Sequence, residues 1–190
     1  MKSLKIELNA PVTITFTILS FLLVLAGYAT RGDSIGLLAC QRTDLKDPMQ
    51  YVRLFSYIFV HADMTHFVNN FTTIILTGPM LEEKYGSKRL VLMIFVTAVV
   101  SGLAHLLLSG AALVGASGIV FLFIILCSCT SVKSGKLPVT LVLVVIIYIG
   151  QEILNGVANS DNISQLTHII GGLCGIFFGL LYAREPKASE

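Results

Sequence analysis

Long stretches of this chain carry no ionised side chain. Neither Lys, Arg, Asp nor Glu occurs from Val91 to Val114 or from Ser117 to Val132, and similar gaps recur towards both ends of the sequence. About 20 apolar residues in a helix cross the roughly 30 Å of hydrocarbon in a bilayer. Such runs predict helices whose solvent is lipid. Composition agrees: 55% of the 190 residues are hydrophobic and 13% charged. With a mean hydropathy of +0.83, that is the balance of a polytopic membrane protein rather than a soluble domain. The net charge is +2 and the basic residues are dispersed, so no electrostatic footprint for nucleic acid exists.

Six apolar segments are predicted as spans: residues 12–29, 65–81, 90–108, 117–132, 138–153 and 165–182. The first follows Lys2 and Lys5 and ends near Gly27 and Ala29, features shared with a cleaved signal peptide. Its 18 residues exceed the usual apolar core of a signal and favour a first transmembrane helix. The second span is the most polar, because it holds Asn69, Asn70 and several threonines. Residues 30–63 are the one long polar connection; aromatic residues such as Tyr51, Phe55, Tyr57 and Phe59 predict that its second half is structured and lies in the membrane interface. The other connections are short. Residues 1–190 are therefore expected to form a single all-α domain, a compact bundle of six transmembrane helices with a long interfacial first loop.

Lys2, Lys5, Lys84, Lys88, Arg89, Lys133, Lys136, Arg184 and Lys187 fall at alternate connections, which predicts that both termini are cytoplasmic. Depth then follows from counting. Ser117 stands 16 residues before Lys133, and His168 stands 16 before Arg184. Each should lie about 24 Å from the cytoplasmic boundary. His66, 18 residues before Lys84, comes out at about 27 Å. Three polar groups thus converge on one layer just below the outer surface. Gly171, Gly175 and Gly179 share a helical face with His168, and a glycine stripe lets membrane helices approach closely. If the fourth span is the partner, His168 comes within reach of Ser117.

The chemistry available there is that of a base beside a nucleophile. His168 would accept the proton of Ser117 as the hydroxyl attacks a peptide carbonyl, then return it to the leaving amine. The Ser117 backbone N–H, at a helix N-terminus, would stabilise the oxyanion. His66 and Asn70, one turn apart, would add side-chain donors. No acidic residue is expected to orient His168, so a dyad rather than a triad is predicted, with Phe121 stacking on the imidazole. No metal spacing and no cofactor motif is evident. Cys40, Cys127, Cys129 and Cys174 are expected to pack as free thiols.

The H-x-x-x-N of His66 to Asn70, the G-x-S-G of Gly115 to Gly118 and the H-x-x-G-x-x-x-G of His168 to Gly175 together resemble the rhomboid family of intramembrane serine proteases. The resemblance implies that Ser117 is the nucleophile, His168 the base, and His66 and Asn70 the oxyanion partners. It assigns supporting roles to Gly115, Gly118, Gly171 and Gly175, and structural ones to Arg53, Glu82 and Gly86. It also implies that the partners are transmembrane proteins cut near the outer face, in the lipid bilayer. Two positions depart from the family pattern: Phe121, where tyrosine is frequent, and Val52, where an aromatic is frequent and whose change is expected to loosen the interfacial loop.

Other polar residues have simpler expectations. His61 is read as an interface residue, His105 as a satisfied packing group, and Gln151 and Glu152 as snorkelling to headgroups at the outer end of the fifth span. Residues 155–164 are expected to form a polar loop that caps the site. Two other classes are weighed: a rhomboid-like membrane binding protein without protease activity, which would usually lack the serine or the histidine, and a small transporter, which would spread polar groups through the bundle depth. The sequence favours an intramembrane serine endopeptidase in a prokaryotic plasma membrane.

Overall fold

A computed structural model of the protein describes residues 7–44, 46–132, 136–158 and 163–183. Among the described residues the chain is helical throughout: α1 (Pro11–Ala29), α2 (Asp33–Leu38), α3 (Pro48–Ser56), α4 (Met64–Tyr85), α5 (Ser87–Leu108), α6 (Ser117–Cys129), α7 (Val139–Ala158) and α8 (Ile163–Leu181), with a 3-10 turn at Tyr57–Phe59. Six of these helices coincide with the six apolar segments. Two, α1 and α5, are long and apolar enough by themselves to cross a membrane. The basic residues Lys2, Lys5, Lys133, Arg184 and Lys187, used to orient the chain, lie outside the described residues.

The outward faces of the helices are apolar. Leu22 and Leu25 on α1, Leu76 on α4, Leu107 on α5, and Ile146 and Ile147 on α7 are all exposed. Apolar surface on that scale requires an apolar solvent. The inward faces carry the polar groups instead. Glu82, on the last turn of α4, is buried and reaches the start of α1. Its Oε1 accepts from the Val12 amide at 2.9 Å and the Ser87 hydroxyl at 2.7 Å; its Oε2 accepts from the Thr13 amide and hydroxyl, both at 3.1 Å. The first turn of α1 is thereby satisfied in full, since Pro11 has no N–H and the Ile14 amide bonds to Ala10 O. Gly86, at φ +81°, then breaks the chain between α4 and α5.

The first loop is folded rather than slack. Asp47 caps α3 by accepting from the Met49 amide, and the buried Arg53 binds Asp47, Thr43 and the Leu37 carbonyl. Val52 points outward, about half exposed, so the bonds that hold the loop do not run through it. Arg42 fastens the loop to the carbonyls of Leu106 and Leu107 at the end of α5. Cys40 and Leu113 exchange both backbone hydrogen bonds at 2.9 Å, an isolated bridge between the first loop and the segment that leads into α6.

Element ends differ from the sequence reading in two informative places. The helix that Ser117 begins stops at Cys129 rather than continuing to residue 132, and its 13 residues span only about 20 Å. That helix is shorter than the roughly 30 Å of hydrocarbon in a bilayer. Beyond it, residues 155–158 continue α7 instead of forming a loop, while 159–162 lie outside the described residues.

Candidate active site

The segment before Ser117 is held by three successive pieces of the first loop. Leu113 pairs with Cys40, the Gly115 amide donates to the Tyr57 carbonyl at 3.0 Å, and the Ala116 amide donates to His61 Nε2 at 3.3 Å. Gly115 has φ +108°, and a Cβ there would stand 2.7 Å from His66 Nε2 and 3.6 Å from Asn70 Nδ2. Glycine is thus required twice, by the turn and by the side chains of α4 packed on it. His66 and Asn70 come together one turn apart beside the entry to α6. The Asp63 side chain, accepting from the His66 amide at 2.7 Å, caps the helix that carries them.

Ser117 is half-buried and opens α6. As the first helical residue it has a backbone N–H with no intrahelical acceptor, at the positive end of the helix dipole. Facing it is α8, against which α6 packs more extensively than against any other helix. A methyl group on Gly171 would fall on the Gly118 carbonyl, one on Gly175 would meet Ile125 Cβ at 2.7 Å, and one on Gly179 would meet Cys129 Sγ. Gly118 in turn faces the Thr167 carbonyl, 3.1 Å from where its own Cβ would be. The glycine stripe therefore brings the residues flanking Ser117 against those flanking His168. Phe121, one turn below Ser117, lies parallel to the His168 ring, with centroids 4.5 Å apart and planes at 7°. The ring of Tyr148 on α7 meets Phe121 edge-on at 5.9 Å. Among the described residues no hydrogen bond joins the Ser117 hydroxyl to His168.

Two residues have places that the sequence reading did not give them. Glu152 does not snorkel away from the site, and the expectation that no acid meets His168 is corrected: Glu152 Oε2 lies 3.0 Å from His168 Nδ1. The approach direction misses hydrogen-bond geometry, so the carboxylate stands beside Nδ1 within ion-pair distance without a formed hydrogen bond. A signal was present, since Glu152 stands 16 residues after Lys136, the same count that levels Ser117 and His168. His61 is not an interface residue either. It is wholly buried, edge-on to His66 at 4.9 Å and packed between Phe67 and Phe71. Burial, then the neighbouring His66 ring, pushes its pKa down from 6.5 to about 4. His61 is therefore neutral, as an acceptor of the Ala116 N–H must be.

His105, also buried, bonds through Nε2 to the Ala111 carbonyl at 2.8 Å and so ties the end of α5 to the turn that follows. All four cysteines are free, and the described residues contain no His, Cys, Asp and Glu grouping able to hold a metal ion. A cavity of about 270 Å³ between α1 and α2 is lined by Arg31, Tyr28 and the other side of His61. Ser117 and His168 do not line it, and the candidate chemistry lies elsewhere.

Fold and site together define a helical membrane protein with a half-buried serine at the start of α6 and a histidine on α8, the helix that packs on α6 through glycines. The rhomboid domain model matches residues 48–185, and the chain belongs to the rhomboid family. It is similar to a rhomboid protease, GluP of Bacillus subtilis (strain 168), with 26% identity over 173 residues. That stretch is 88% of this chain and 33% of the relative, so the chain spans about a third of the length of the curated protein it matches.

Proposed function

We propose that this protein is an intramembrane serine endopeptidase that hydrolyses peptide bonds in or near transmembrane segments of other membrane proteins. In this reading Ser117 is the nucleophile and His168 the general base. The Ser117 hydroxyl loses its proton to His168 Nε2 as the Oγ–C bond forms. The developing oxyanion lies against the Ser117 N–H and the side chains of His66 and Asn70. The proton then passes to the leaving amine as the C–N bond breaks, and water repeats the sequence to release the acyl group. The observation that carries the reading is the α6–α8 contact, where Gly171 meets Gly118 and Phe121 holds the His168 ring. That packing supports the reading because Gly118 and Thr167, the neighbours of Ser117 and His168, lie against one another.

Around this site α1, α4, α5, α6, α7 and α8 form a single domain of six membrane spans with both termini in the cytoplasm of a prokaryotic cell. No cofactor enters the chemistry. Substrate helices must locally unwind, because a helical backbone keeps its carbonyls hydrogen-bonded. The deciding experiment is covalent labelling of purified protein by a fluorophosphonate probe, alongside cleavage of a transmembrane test substrate. Both should be present in wild type and absent in Ser117→Ala and His168→Ala. Cleavage that survives Ser117→Ala would refute the assignment.

A further inference from the structure

Glu152 is the only charged residue of α7, and the chemistry just described does not use it. A carboxylate placed among apolar residues in a membrane helix is costly unless it faces the bundle interior and finds a partner. Its partner here is His168, and the two side chains are 14% and 17% exposed, dry enough for a charge at 3.0 Å to matter. The imidazole has little freedom left. Phe121 covers one face at 4.5 Å, and Tyr148, one turn before Glu152 on α7, braces Phe121 from the side. Ile149, between them, packs where a Cβ on Gly172 would stand 2.9 Å from its Cδ1, so this face of α7 is seated directly on α8. With the ring plane clamped and Nδ1 beside a carboxylate, Nε2 is the nitrogen left for Ser117.

We propose that Glu152 is a positioning residue for His168, extending the pair to Ser117, His168 and Glu152. The proposal rests on the reading of Ser117 as nucleophile and His168 as base. Glu152 favours the neutral tautomer with its proton on Nδ1, which leaves Nε2 as the acceptor for the Ser117 proton. Once Nε2 has taken that proton, the ring is a cation with N–H on both nitrogens, and the carboxylate offsets its charge. The proton moves on from Nε2 to the leaving amine. Glu152 itself is never protonated in the cycle. Because Glu152 belongs to α7 while Ser117 and His168 belong to α6 and α8, the seating of α7 becomes a condition of catalysis.

The test compares wild type, Glu152→Gln, Glu152→Asp, Ser117→Ala and His168→Ala as full chains in detergent. Fluorophosphonate labelling rates, kcat and KM on a transmembrane test substrate, and Tm are measured for each. Glu152→Gln should label at least tenfold more slowly, within the range up to about 10⁴-fold known when the acid of such a group is replaced by its amide. The loss should fall on kcat, with KM and Tm unchanged and partial recovery in Glu152→Asp. Labelling of Glu152→Gln within tenfold of wild type would overturn the proposal. A second readout needs no Glu152 variant: the ¹⁵N spectrum of histidine-labelled wild type, with His168 assigned by its loss in His168→Ala. An Nδ1–H tautomer supports the positioning role and an Nε2–H tautomer overturns it. If folded wild type never labels, the protease reading fails, while the tautomer still decides whether Glu152 orients the ring.

Discussion

Gly171→Ala adds one methyl group at the point where α8 rests on α6. Its Cβ would clash with the Gly118 carbonyl oxygen and stand 2.9 Å from the carbonyl carbon and 3.1 Å from Cα, where ordinary contact begins at 3.4 Å. All three atoms are backbone, so no rotamer change relieves the overlap. The helices must separate by at least about half an ångström at the carbon, and by more at the oxygen. Overpacking of this kind costs about 1–3 kcal/mol. The larger effect should be on geometry, because His168 lies one turn before Gly171 and moves with it. A displacement approaching 1 Å lowers rates by about 100-fold. Labelling by a fluorophosphonate, with Tm recorded in parallel, reads both consequences. Gly179→Ala is the control: its Cβ meets the Cys129 side chain two turns further from Ser117, and it should lower Tm while leaving labelling nearly intact. If Gly171→Ala labelled at the wild-type rate, close α6–α8 contact would not be what brings the two side chains together.

Two further outcomes follow from buried polar groups. Each oxygen of Glu82 accepts two donors, so Glu82→Gln sets an amide NH₂ against two of them whichever way it turns. The expected loss is about 2–3 kcal/mol, measured by reversible denaturation in detergent, and a change below about 0.5 kcal/mol would contradict the capping role. His61 supplies a pH dependence. Its folded pKa of about 4 lies below the ordinary 6.5, so the unfolded chain takes up a proton first as pH falls. The stability this group contributes is complete above 6.5 and is lost as pH falls towards 4, by about 3 kcal/mol. His61→Gln should be less stable at pH 7.5 yet lose less on acidification to pH 4.5; identical falls in Tm for the two proteins would show that His61 does not carry the effect.

Position along the membrane normal is a one-dimensional quantity, and residue counting along apolar runs reads it. Composition alone implies a helical membrane protein, and the spacing of Ser117, His168 and His66 from the flanking basic residues predicts one layer for them. The stripe at Gly171, Gly175 and Gly179 marks the face of α8 that meets a neighbour, because backbone can approach backbone only where side chains are missing. Rotation about each helix axis and the choice of lateral neighbours are set by packing between distant parts of the chain, which no local pattern encodes. That is why the Glu152 carboxylate, at the right depth in the sequence, needed the tertiary structure to reveal it as the neighbour of His168. His61 was hidden for the same reason: it lies 55 residues from the Ala116 amide it accepts, and only the folded first loop brings the two together.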